Sequence, residues 1–176
     1  MGKNCLNKLV SGIPVGCTIP RVGVKDIYLM HAEDVTFTYS ANGILATAVF
    51  AGDAKSYKVE GYKQNIQVTA SLKTTDASAR VDQSVTFKMP YGTGSNTSTN
   101  INSVASGTFY VFVEFNDGGY TMLGATVPLE CSSVDFDSNA NARMVTFTLA
   151  SPEGSAGNSA VPVAAPARDT IISKSV

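Results

Sequence analysis

From Val24 onward, apolar and polar residues alternate with a period of two over most of the chain, the mark of half-buried strands rather than helices. The stretches 24–30 (VKDIYLM) and 34–39 (DVTFTY) are the first strand candidates. In the second, Val35, Phe37 and Tyr39 share one face and Thr36 and Thr38 the other. Asn42-Gly43 follows before Ile44, a dipeptide that favours a type I′ hairpin turn, which needs positive φ at both central positions. ILATAVF (44–50) returns, Gly52-Asp53 turns the chain, and SYKVE (56–60) is the next strand. A long alternating run over Lys63–Thr74 sets Ile66, Val68, Ala70 and Leu72 on one side. The run Arg80–Met89 answers it with Val81, Val85, Phe87 and Met89. Both are about ten residues, near the upper limit for globular strands. Joined through the polar TDASA, they predict a hairpin that projects beyond the core.

Between Tyr91 and Gly107 the composition shifts to Gly, Ser, Thr and Asn, and only Thr99–Ala105, with Ile101, Val104 and Ala105 at helical spacing, predicts a short helix. The segment Val111–Val127 (VFVEFNDGGYTMLGATV) then reads as a hairpin turning on Asn116-Asp117-Gly118-Gly119. Leu129–Phe136, a turn around Asp137-Ser138-Asn139, and a last alternating strand, RMVTFTLA (143–150), complete the pattern. After Pro152 the chain is low in complexity and poor in large apolar groups, which predicts a flexible Ala/Pro/Ser-rich tail over 152–176. Residues 1–23 form an N-terminal arm, so the folded domain spans 24–151. Short strands between turn signals, without alternating helices, predict a mainly β fold. The expected architecture is an antiparallel β-sandwich or half-barrel with one short helix and a long protruding hairpin.

Composition sharpens this picture. The 176 residues are 44% hydrophobic and 15% charged, against about 25% charged in ordinary domains. Low charge argues against disorder and suggests surface covered by partners. A net charge of −1 offers no basic patch for nucleic-acid recognition. No stretch approaches the roughly 20 apolar residues of a membrane span, and no membrane anchor is expected. Near the start, Val15-Gly16-Cys17 partly matches a lipoprotein cleavage site, but Pro14 stands where Leu is wanted, and Leu9–Val15 is too broken for a signal core. Leu6 stands where myristoylation of Gly2 wants Ser or Thr. Cys5, Cys17 and Cys131 are an odd number without metal-type spacing, which favours free thiols in a reducing compartment.

Chemistry-bearing groups are few. His31 is the one histidine, so any Ser/His or Cys/His nucleophile would have to pass through it; a surface or turn histidine is the simpler reading. The carboxylates Glu33/Asp34, Asp135/Asp137 and Glu60 scatter over turns and strand ends. Asp135–Asn139 lacks the Gly and distal Glu of an EF-hand loop. YGTGSN has no Lys and no strong following helix, as a phosphate loop would, and NDGG lies inside a hairpin. The aromatics, Tyr39, Phe50, Tyr57, Tyr62, Phe87, Phe109, Tyr110, Phe112, Phe115 and Phe147, fit core and cross-strand pairing better than base stacking. No catalytic, cofactor-binding or metal-ligating residue is assigned, and an enzyme is not expected.

The distinctive feature is sheet surface. Thr36, Thr38, Thr47, Thr69, Ser71, Thr146 and Thr148 form faces too uncharged for a typical monomer surface and too polar for a core. Natural proteins guard long edges with Lys, Pro or bulges, and Ile66–Thr74 has few such guards. It is read as an edge completed by a second copy, with Ile66, Val68, Ala70, Leu72, Val85 and Phe87 as the inter-subunit pairing residues.

The succession VKDIYLMHAEDVTFTYSANGIL, AKSYKVEGYKQNIQVTASL, QSVTFKM, a short helix, FYVFVEFNDGGYTMLGATVPLECSSVDFDS and MVTFTLASPE resembles bacteriophage tail proteins of the tail-tube or tail-hub type. The resemblance covers about residues 24–153. It implies a non-enzymatic virion protein whose copies join sheet to sheet in a ring enclosing a DNA channel. The hairpin Lys63–Met89 would reach a neighbouring copy or the next ring. Implied partners are copies of itself, other tail or portal-adaptor proteins, and DNA passing non-specifically, with no cofactor. A lumen for DNA should not be basic, since phosphate contacts would hold the polymer, and the slightly negative chain is compatible. The Cys-containing arm and Ala/Pro tail depart from the pattern. A capsid decoration or fibre-anchoring β-domain, and a secreted or lipidated immunoglobulin-like binding module, are the alternatives.

Overall fold

The computed structural model describes residues 23–61, 65–74, 79–91, 97–137, 144–152 and 160–176. Along them run β1 (Val24–His31), β2 (Val35–Tyr39), β3 (Leu45–Phe50), β4 (Tyr57–Glu60), β5 (Ile66–Thr74), β6 (Ala79–Pro90), α1 (Thr97–Ser106), β7 (Thr108–Phe115), β8 (Tyr120–Leu123), β9 (Leu129–Asp137), β10 (Met144–Ala150), β11 (Val161–Pro162) and α2 (Ala165–Ser173). The fold is mainly β, and every pairing between these strands is antiparallel.

β1 and β7 sit at the centre because both of their faces are apolar, so each can be covered twice. β1 pairs with β4 on one edge and with β7 on the other. The far edge of β7 is shared. Val111–Glu114 pair with β8, whereas Thr108 and Phe109 pair with β9. From there β9, β10, β6 and β5 continue in that order, while β8 leads to β11. The turn between β7 and β8 depends on Gly118, whose φ of 83° is one that L side chains rarely adopt. Asp117 Oδ1 accepts the Gly119 N–H at 2.8 Å and tightens the same turn.

One core lies between the inner strands and the β9–β10–β6–β5 arm. Ile27, Leu29, Val111, Val113 and Leu123 meet Val85, Phe87, Val145, Phe147 and Leu149, with Ile101 and Val104 of α1 packed at its side. Phe87 and Phe147, cross-strand neighbours, stack with ring centroids 5.2 Å apart. Burying each such side chain is worth about 1.5–3 kcal/mol. Gln83 is the polar exception. It is buried, its Oε1 accepts the Gly124 N–H at 2.6 Å, and its own N–H donates to Ser151 Oγ at 3.0 Å. That joins β6 to the turn after β8.

A second core lies on the opposite face of β1 and β7. Tyr28, Met30, Phe112 and Met122 are covered there by Val35, Leu45 and Ala48 of the β2–β3 hairpin and by Ala167 and Ile171 of α2. The β2–β3 pairing shifts register between Thr38 and Tyr39. Ser40 N–H donates to Ile44 O and Gly43 N–H to Ser40 O, so the Asn42-Gly43 turn is a longer loop than the two-residue turn expected.

Two expectations are corrected. The described residues hold two short helices, not one. The expected helix is α1, and its Ile101 and Val104 pack inward as the spacing requires. The second, α2, lies in what was read as a flexible tail. Residues 160–176 are part of the fold, and the domain boundary at 151 falls too early. Val161–Pro162 pairs with β8, Ala164 N–H donates to Leu45 O at 2.9 Å, and Ala167 and Ile171 are fully buried. Beyond α2, the backbone of Lys174–Val176 hydrogen-bonds to Ser56 and Lys58, along β4. This segment needs few large side chains because much of its attachment is carried by the backbone. The N-terminal arm up to residue 22, with Cys5 and Cys17, and residues 153–159 of the expected tail lie outside the described residues.

Candidate functional site

The expected pairing surface divides in two. Ile66, Val85 and Phe87 are buried in the first core, and β6 is paired on both sides, with β5 and with β10. Val85 and Phe87 therefore have no free edge to offer a neighbour, and their place is interior packing. Ile66 is buried and Val68 half-buried beside them, whereas Ala70 and Leu72 are exposed, Leu72 to 65%. β5 carries them at the end of the strand order, pairing with β6 alone among the named strands. Its other edge is the margin of the sheet. Along that edge Gln67, Thr69, Ala70, Ser71 and Leu72 are exposed and uncharged, so none of the usual charged guards is present over those positions.

The titratable groups gather elsewhere. Asp26 of β1 is directly opposite Glu60 of β4 and Glu114 of β7, a row of three carboxylates across three strands. Like charges placed opposite each other repel, and lysines neutralise the row. Lys25 Nζ lies 2.7 Å from Glu114 Oε1, and Lys58 Nζ lies 3.2 Å from Asp26 Oδ2 and 3.3 Å from Glu60 Oε1. Asp26 and Glu114 are themselves buried. Gly61 closes the arrangement, its N–H donating to Lys25 O at 2.8 Å and to Asp26 Oδ1 at 3.1 Å. A Cβ on Gly61 would lie 2.0 Å from the Lys25 carbonyl oxygen, so a side chain is excluded.

Electrostatics make this row a clamp. The hydrogen bond and charge of Glu114 raise the Lys25 ammonium above its ordinary pKa. Burial pulls Lys58 down, but its bonds to Asp26 and Glu60 outweigh that and leave it raised. Burial, helped by the Glu114 charge, raises the Tyr28 phenol. All three groups keep their protons at neutral pH, so none supplies a free base or an amine nucleophile. Burial likewise raises the Cys131 thiol, which lowers its reactivity. Sequence reading passed over Asp26 and Glu114. The signal was an acid interrupting an apolar run, in VKDIYLM and in VFVEF.

Glu33 and Asp34 sit in the turn after β1, and Asp135 is exposed on β9, as expected of solubilising acids. Part of the Asp137–Asn139 turn lies outside the described residues. His31 is half-buried at the end of β1, its ring 4.7 Å from that of Phe109 and 5.9 Å from that of Tyr57. It packs against aromatic rings as well as ending the strand. Phe87, Phe109, Phe112 and Phe147 are core, whereas Tyr39 and Tyr57 are exposed. Among the described residues, no group of three or more His, Cys, Asp and Glu side chains could hold a metal ion. Nor is any helix there long and apolar enough to cross a membrane. No protein-family model matches the chain, and neither a curated protein nor a solved structure matches it.

Proposed function

We propose that this chain is a non-enzymatic structural subunit that pairs with copies of itself through the margin of its sheet, forming a ring of a phage tail, as tube or hub, around a DNA channel. The observation that carries the reading is the outer edge of β5, at the end of the strand order and with uncharged exposed positions from Gln67 to Leu72. Such an edge is a template for another strand. Backbone pairing repeated around a ring, with apolar contact from Leu72, gives cohesion without chemistry. Obligate interfaces of this kind commonly exceed about 2,000 Å². The virion placement, with other tail or portal-adaptor proteins as neighbours, rests on the resemblance in the order of elements. The clamp lysines, which keep their protons, and the half-buried Cys131 thiol suit a scaffold role. Negative-stain electron microscopy of the purified protein tests this reading. Rings or tubes of uniform diameter are expected, and a population of single 18.4 kDa particles at high concentration would overturn it.

A further inference from the structure

A recess open to solvent runs into the first core. Where β1 and β4 face β6 and α1, a cavity of about 410 Å³ remains. Its inner wall is Leu29, Phe87 and Phe109, all nearly inaccessible to solvent. Met89, Val104, His31, Tyr57, Val59 and Val176 also line the cavity. Apolar walls lose dispersion contacts wherever they face empty space, and ligand pockets run from about 300 to 1,000 Å³.

The lining defines the guest. Four rings, from His31, Tyr57, Phe87 and Phe109, surround it, with His31 tilted 43° against Phe109 and at 85° to Tyr57. Planar aromatic groups pack best against such offset and edge-on faces. The Met89 thioether adds a polarizable contact. Polar groups in the lining include Asn100 and Ser103 of α1 as well as His31 and Tyr57. The ammonium of Lys58, which also lines the cavity, is already paired with Asp26 and Glu60, so it is not free to match an anionic guest.

We infer that this cavity is a binding site for a small, uncharged, planar aromatic molecule carrying one hydrogen-bonding group, about the size of indole. The site is built within one chain and needs no second copy, so it stands or falls independently of ring assembly. Indole itself serves as the probe, titrated into protein carrying ¹³C-methyl methionine. Met89 reports the cavity, while Met30 and Met122, fully buried in the second core, are internal controls. A saturable shift of the Met89 signal is expected, with half-saturation below about 1 mM, while Met30 and Met122 stay in place. Val104→Trp fills the cavity and should abolish the shift. Asn100→Trp, at an exposed helix position, covers the cavity without disturbing the core and should weaken binding at least tenfold if the first variant does not fold. A Met89 signal that never moves, that moves without saturating, or that responds equally in both variants would overturn the inference.

Discussion

Asp26 shows how a single residue can set the terms for its neighbours. Its carboxylate is buried, faces acids on both flanking strands, and is held by Lys58 and by the Gly61 N–H. Removing the lysine leaves a buried charge among like charges, which is far costlier than losing an exposed ion pair. Lys58→Met should therefore lower unfolding free energy by about 1–3 kcal/mol in urea titrations; an unchanged midpoint would show the row to be solvated. The pH dependence follows from the same bonds. Lys25, Lys58 and Tyr28 all have raised folded-state pKa values, so the folded chain binds their protons more tightly than the unfolded chain. Their contribution is complete below the unfolded values, near pH 10, and is lost as pH rises through the folded ones. Stability should thus be flat through neutrality and fall on the alkaline side, less steeply in Lys58→Met.

At the scale of elements, α2 and β11 are the instructive pair. Ile171 is fully buried against the β2–β3 hairpin, and Ser56 Oγ donates to its carbonyl oxygen at 2.7 Å. Ile171→Ala should cost about 2–5 kcal/mol by chemical denaturation, whereas a free tail would tolerate it silently. The strands were legible because alternation is a local property: Val145, Phe147 and Leu149 announce the buried face of β10 in seven residues. The short α1 was legible for the same reason, through Ile101 and Val104. By contrast, α2 offers only Ala167 and Ile171 as a buried pair. Its neighbouring residues attach by backbone bonds to Leu45 and Ser56, strands more than a hundred residues away, which composition does not record. The site was legible by half. A sparsely guarded edge shows in Ile66–Thr74, but which of its residues face inward depends on how far the core extends. Val85 and Phe87 are interior because β10 covers the other edge of β6. The Asp26–Glu114 pairing joins residues 88 positions apart only through the β1–β7 register.

As a whole the molecule spends its polar chemistry on holding itself together and, among the described residues, leaves the outer margin of β5 without a partner strand. Its central strands are covered twice, and its C-terminal residues run beside β4. Among the described residues, β5 has a partner strand on one side only. In the proposed assembly that margin is where one copy meets the next. Amide hydrogen exchange over residues 66–74, followed across a dilution series, reads those backbone groups directly. Edge amides of β5 that point away from β6 should be protected at high protein concentration and become labile on dilution, while the β10 amides stay protected throughout. Exchange in β5 that is equally fast at every concentration, in a sample that nevertheless forms rings, would contradict the claim that the sheet margin builds the assembly.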